Sequence, residues 1–328
     1  MNEEFDFQFG HVIDIIDKTG AEIVGLQFPE GFKRRGIKIA SFIEENTDCR
    51  TLISADPCFG ACDIDRNLLS RVDVMFHFGH SVLEPGKYEN VHFIECRSNA
   101  DIEQVIENAL KKLTGKKIGL VTTVQHVHHL PGVSEILETN GMEAVTGTGD
   151  SRITYPGQVL GCNFSAARDQ ICDEYLYIGS GNFHPAGVSL STGKRVLVAD
   201  PILNEVREIN TEKIIRQRSA VIAKCMDASL FGIVVSDKNG QIRMDTAKRL
   251  KELAHQHDRQ AHILSMDLVT PEQLLNFKVD AFINTACPRI AIDDVGLYPA
   301  PMLTPVEFEI VLGERSWDEL VLDEIRGE

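Results

Sequence analysis

EIVGLQF, residues 22–28, is an apolar run of strand length with little alternation, and the chain writes its like twice more, as KKIGLVTTV at 116–124 and LFGIVVS at 230–236. A strand apolar on both faces belongs in a sheet covered on both sides, the mark of parallel α/β layers. The three runs also lead into similar stretches of chain. A helix-like segment comes next: Gly36 to Glu45 with Ile37, Ala40, Phe42 and Ile43 as inner face, Ser134 to Asn140 closed by Gly141, and Asp245 to Gln256. A second strand succeeds it (TLISA at 51–55, EAVTG at 143–147, HILSM at 262–266), and a later one closes each copy (VDVMFHFG at 72–79, DEYLYIGSG at 173–181, VDAFINTA at 279–286). The period is roughly 100 residues. The expected fold class is α/β: three similar α/β domains with mostly parallel sheets in a pseudo-threefold arrangement about a central site, divided as 1–100, 101–200 and 201–328. The plainer alternative is one larger α/β fold with similar-looking strands.

Between copies, Ile102, Val105, Ile106, Ala109, Leu110 and Leu113 have the spacing of an amphipathic helix. A longer helical stretch is expected over 202–227, with Arg216, Arg218 and Lys224 on a solvated face. VSLSTGKRVLVAD (188–200) reads as two strands joined at Thr192-Gly193, an antiparallel addition to a sheet edge.

Composition bounds the function. The 328 residues are 43% apolar and 25% charged, an ordinary globular profile. With 49 acidic and 33 basic residues the net charge is −16, which disfavours nucleic acid and anionic membrane surfaces as partners. No apolar run reaches the roughly 20 residues of a bilayer span. The acidic start, MNEEFDFQFGHVIDII, lacks the pattern of a signal peptide, so a cytoplasmic protein is expected. There, eight cysteines read as reduced thiols, metal ligands or catalytic groups rather than a disulfide framework.

Three of them stand at strand ends, where open α/β sheets bind ligands. Cys62 lies in ADPCFGACD after the strand TLISA, Cys162 in PGQVLGCNFS, and Cys287 in INTACPRIAID at the end of VDAFINTA. Three thiolates suit a soft metal or an iron–sulfur cluster, though a lone cysteine after a buried strand is commonly a small core residue. Cys49, Cys96, Cys172 and Cys225 read as buried or incidental; Cys58, four residues before Cys62, reads as a spare thiol near the site.

The stretches FGACD, FHFGHS, VQH, LGC, TACPRIAID and LTPVE, in that order over roughly 20–310, resemble the archaeal-type 2-(3-amino-3-carboxypropyl)histidine synthases, the first enzymes of diphthamide biosynthesis. The resemblance implies three α/β domains, each giving one cysteine to a [4Fe–4S] cluster, here Cys62, Cys162 and Cys287. It further implies S-adenosylmethionine as co-substrate, cleaved at Cγ–S with release of 5′-methylthioadenosine. The 3-amino-3-carboxypropyl radical then adds to C2 of a histidine imidazole on translation elongation factor 2. A homodimer and an electron donor are implied as well. Cys58 departs from the family pattern.

Candidate binding residues are the other groups at these strand ends: Gln27, Pro29, Glu30 and Gly31 after the first strand, His80 and Ser81 after VDVMFHFG, Gln125 and His126 after the second-copy strand, and Gly179, Ser180 and Gly181 after DEYLYI. Arg289 offers a two-pronged partner for a substrate carboxylate. His126, His128 and His129 do not have a recognised zinc spacing. Two further readings are a quinolinate-synthase-like cluster dehydratase, and a binding or scaffold protein whose cysteines are merely buried.

Overall fold

The structure, a computed structural model, describes residues 4–84, 86–293 and 296–327. The first part of the chain forms β1 (Phe5–Asp6), α1 (Phe9–Thr19), β2 (Ile23–Gln27), α2 (Glu30–Asn46), β3 (Arg50–Ile53), α3 (Arg66–Leu69), β4 (Val74–Phe78), β5 (Val91–Ile94) and β6 (Arg97–Ser98). The middle forms α4 (Glu103–Leu110), β7 (Lys117–Thr122), α5 (Leu130–Thr139), β8 (Glu143–Val145), α6 (Ser165–Arg168), β9 (Glu174–Ile178), α7 (Phe183–Thr192), β10 (Val196–Asp200) and β11 (Glu205–Glu208). The last part forms α8 (Glu212–Lys224), β12 (Leu230–Ser236), α9 (Met244–Gln256), β13 (Gln260–Met266), α10 (Pro271–Leu274), β14 (Ala281–Asn284), α11 (Pro288–Asp293), β15 (Met302–Leu303) and α12 (Pro305–Val311).

The three large sheets have the orders β3-β2-β4-β5, β8-β7-β9-β10-β11 and β13-β12-β14-β15. Within each copy that is second, first, third, fourth strand. Their pairings are parallel except β10 with β11; β1 and β6 make a separate short antiparallel pair. In such an order the chain reverses direction between the first and third strands, and a crevice opens at their carboxyl ends.

The copies repeat in detail as well as in order. Oδ2 of Asp73 accepts from the backbone N–H groups of Glu22 and Ile23, Oδ2 of Asp173 from Lys116 and Lys117, and Oδ2 of Asp280 from Ser229 and Leu230. One carboxylate thus fastens the entry to the third strand onto the entry to the first, in all three sheets. Those bonds hold the Asp173 and Asp280 carboxyls below the usual range. Both faces of each sheet are buried: Leu26, Phe76 and Phe78 on one side of the first against Leu68 and Met75 on the other, with Leu120 and Leu176 against Tyr175 and Tyr177 in the second. In the third, Ile233 and Ile283 oppose Val234 and Phe282. Each such side chain contributes roughly 1.5–3 kcal/mol on burial.

Several expectations are corrected. Residues 183–192 are the helix α7, not the first strand of a hairpin: Pro185, Ala186, Gly187 and Val188 are buried against the sheet, and Gly193, at φ 69°, closes the helix by donating to the Ser189 carbonyl. The antiparallel edge strand is β11, which lies inside the stretch expected to be helical and beyond the division expected at 200. The helix there is shorter, Glu212–Lys224, and Arg218 is not on its solvated face: its guanidinium is buried against Glu307 and donates to the carbonyls of Ala291 and Met302. In α2 the inner face is Gly36, Ile39, Ala40 and Ile43, while Ile37 is 70% exposed. Cys49, Cys96, Cys172 and Cys225 are buried core residues, as expected.

Candidate functional site

Loops from all three sheets meet at their carboxyl ends around a cavity of about 350 Å³. Cys62, Cys162 and Cys287 all line it. The loop after β3 brings Cys62, the loop between β8 and α6 brings Cys162, and the turn from β14 into α11 brings Cys287. Burial pushes all three thiols up, Cys162 to about 11 and Cys287 to about 12. The cysteines also raise one another, Cys62 acting on Cys162, and both acting on Cys287. Left alone, these thiols keep their protons. As thiolates they need a cationic partner, which is the chemistry of a soft-metal site.

Cys62 and Cys162 are held in place from another part of the chain, Cys287 from within the third sheet's own loops. Gln241 Nε2 donates to Cys62 Sγ at 3.2 Å, and Arg152 Nη2 donates to the Gly240 carbonyl next to that glutamine. A Cβ on Gly240 would stand 2.6 Å from Cys62 Cβ, so the third sheet's loop can lie against Cys62 only as glycine. Arg243 donates to the Thr285 and Ala286 carbonyls before Cys287 and pairs with Asp323 at 2.6 Å. The C-terminal segment crosses to the second sheet, where Ile325 N–H donates to the Cys162 carbonyl and Glu324 accepts from Phe164 N–H and pairs with Arg168. Between the first and third sheets, Lys238 and Asp63 form a buried ion pair at 2.5 Å. Between the first and second, Gln158 Nε2 donates to Ser81 Oγ at 2.7 Å and Gln125 Nε2 to the Gly79 carbonyl at 2.7 Å.

Of the sequence candidates, Pro29, Gly31, His80, Ser81, Gln125 and Arg289 also line the cavity. Arg289 lies over the Phe183 ring at 4.3 Å and pairs with Asp293 at 2.6 Å, so one edge of its guanidinium is already engaged. The other candidates lie elsewhere. Gln27 is buried behind the wall, where it contacts the loop at Asp63 and Asp65 and the His77 ring. His126 is buried, with Nδ1 unpartnered, beside His129. Ser180 donates to Asp200 at 2.7 Å, and Gly179 donates to the Ala199 carbonyl, both tying β9 to β10. Glu30 pairs with Lys33 on the surface. Arg152, Gln158, His184 and Gln241 line the cavity although no motif singles them out. Only the pairing of glycine with glutamine at 240–241, just after β12, sits at a strand end where such a residue could have been sought.

The model of the diphthamide synthesis protein family matches residues 28–321. The chain belongs to that family. Among its relatives in the diphthamide synthesis family, the 2-(3-amino-3-carboxypropyl)histidine synthase of Pyrococcus horikoshii is 40% identical over 96% of this chain and 92% of its own length. The enzyme of that name from Methanocaldococcus jannaschii is 28% identical over 92% of this chain and 87% of its own. The crystal structure of Dph2 from Pyrococcus horikoshii with a 4Fe–4S cluster superimposes with a TM-score of 0.92 at 38% identity, covering 98% of this chain and 95% of that one. Family membership decides between the two cluster-enzyme readings in favour of the transferase. Among the described residues no helix is long and apolar enough to cross a membrane.

Proposed function

We propose that this chain transfers the 3-amino-3-carboxypropyl group of S-adenosylmethionine, as a radical, to C2 of a histidine imidazole on translation elongation factor 2. This is the first step of diphthamide biosynthesis, and it releases 5′-methylthioadenosine. Cys62, Cys162 and Cys287 are the residues that hold a [4Fe–4S] cluster. The observation that carries the reading is the meeting of these three cysteines, one from each sheet, in one cavity. Three thiols raised by burial and by one another fit such a group, because each becomes a stable thiolate on metal coordination. A four-iron cluster with three protein ligands has one iron open to the co-substrate, and it supplies the electron for reductive cleavage of the Cγ–S bond.

The chain's own residues bind and orient. The free edge of Arg289 suits the carboxylate of S-adenosylmethionine, and Ser81 and Gln125, each fixed by a hydrogen bond between sheets, present polar groups from the opposite wall. Contacts between all three sheets close the inner wall of the cavity, where a reactive carbon radical is least exposed to water. The protein substrate, a separate electron donor and a second copy of this chain are the partners in this reading. Eight unpaired cysteines suit a reducing, cytoplasmic setting. The domain division that fits the sheets is near 100 and just after Glu208.

Product analysis tests the chemistry. Anaerobically reduced protein given S-adenosylmethionine is expected to release 5′-methylthioadenosine; 5′-deoxyadenosine in its place would overturn the assigned bond cleavage.

A further inference from the structure

Behind the cavity wall lies a chain of side chains that the reaction as described does not use. Gln27 and His77 are buried, 1% and 0% exposed, while His80 lines the cavity. Backbone groups fix the direction of the Gln27 amide. Its Nε2 faces the Asp63 carbonyl at 2.7 Å, which can only accept, and its Oε1 faces the Asp65 N–H, which can only donate. His77 Nδ1 stands 2.9 Å from that same Oε1, so Nδ1 carries the proton and Nε2 is left as a lone pair. His80 Nδ1 stands 2.9 Å from His77 Nε2 and must therefore donate to it. Burial, with the neighbouring ring acting on His77, keeps both imidazoles neutral, His80 down to about 4 although the Phe78 backbone beside it works the other way. In a neutral ring with its proton on Nδ1, Nε2 is an acceptor.

We propose that Gln27 and His77 are positioning residues that lock His80 in the Nδ1–H tautomer, so that His80 Nε2 accepts a hydrogen bond from an N–H or O–H group of S-adenosylmethionine in the cavity. The proposal rests on the reading of the cavity as the S-adenosylmethionine site and adds to it the identity of a binding group and the device that orients it. Cys58 Sγ lies 4.0 Å from His77 Nε2, a weak second donor to the same lone pair. Cys58, His77 and His80 together also make the kind of set that could hold a metal ion. The distances favour the relay. Zinc–nitrogen bonds of about 2.0–2.1 Å place two imidazole nitrogens of a tetrahedral site about 3.3 Å apart, whereas 2.9 Å is the length of an N–H···N hydrogen bond.

The test begins on the unmutated, anaerobically prepared protein labelled with ¹⁵N-histidine. Long-range proton–nitrogen correlation at neutral pH is expected to show His77 and His80 both protonated at Nδ1 and bare at Nε2. A proton on His80 Nε2, or stoichiometric zinc that is lost in Cys58→Ala, would overturn the relay and leave the transferase reading untouched. The second measurement is the dissociation constant of S-adenosylmethionine, with iron content as control. His77→Phe and His80→Phe are each expected to weaken binding by about tenfold, the scale of one hydrogen bond, with iron retained. Wild-type affinity in both would overturn the assignment of His80 as a binding group. 5′-Methylthioadenosine, which lacks the amino acid moiety, narrows the group met: its affinity falls in the same variants if a ribose hydroxyl or the adenine amino group is the donor, and holds if the α-ammonium is.

Discussion

Gly240 is the point at which the third sheet touches the first beside Cys62, and its missing side chain is what permits the contact. Adding one methyl puts a carbon 2.6 Å from both Cys62 Cβ and Leu83 Cδ2, and neither a backbone-anchored Cβ nor a buried leucine can withdraw far. Gly240→Ala is therefore expected to destabilise the protein by about 1–3 kcal/mol, the usual scale of overpacking. It should also loosen Cys62, read as a lower unfolding midpoint together with reduced iron content; a variant with wild-type values for both would show that the loop yields freely. At this scale the sequence is informative about residues that recur with a strand end. Cys62, Cys287, His80, Ser81, Gln125 and Arg289 reach the cavity from the stretches that follow strands, and Cys162 from the long loop between β8 and α6. Arg152, Gln158 and His184 were not legible, because none directly follows one of the apolar strand runs and none belongs to a periodic pattern. Gln27 was legible as a strand-end residue but not as one facing away from the ligand.

At the scale of elements, strands are more legible than helices. A parallel strand buried on both faces is a continuous apolar run, visible in β2, β7 and β12 alike. Helix α7 reads as a strand because VSLS, 188–191, alternates apolar and polar residues; its true buried face, Pro185 to Val188, begins earlier. The repeated carboxylate of Asp73, Asp173 and Asp280 stands in the sequence immediately before each third strand, but its role is seen only once the first strand is beside it. Arg218 shows the cost of reading a helix without its neighbours. It is 4% exposed, and α8 is joined through it to Glu307 at the start of α12. Arg218→Ala leaves Glu307 buried without its cation, and removing one partner of such a pair typically costs about 3–5 kcal/mol. Chemical denaturation is expected to show a loss of that order. A change under about 1 kcal/mol, the scale of an exposed pair, would mean that water reaches Glu307.

For the molecule as a whole, seven imidazoles among the described residues titrate below their ordinary value on burial: His77, His80, His92, His126, His128, His129 and His184. His77 lies well below it, and His80, His126 and His184 lie at about 4. Between the ordinary histidine value of about 6.5 and about 4, the unfolded chain binds protons that the folded one refuses. Stability from these groups is thus fully present above about 6.5 and declines as pH falls through that window. Burial moves the Asp63 and Asp323 carboxyls the other way, two groups against seven. Denaturant midpoints are expected to be lower at about pH 5 than at about pH 7.5; equal midpoints would show that the rings are hydrated in solution. The threefold plan was readable from the repeated strands. The ring of contacts that closes it was not, since Lys238–Asp63, Arg152 with Gly240, and Ile325 with Cys162 join residues 88 or more positions apart in stretches of unrelated local pattern. The central claim is that this ring exists to place three cysteines around one iron–sulfur cluster. Iron and sulfide content of anaerobically purified protein and its cysteine variants tests it most directly. About four irons per chain are expected in the wild type and in Cys225→Ala, with marked loss in each of Cys62→Ala, Cys162→Ala and Cys287→Ala. Equal iron content across all of them would contradict the claim.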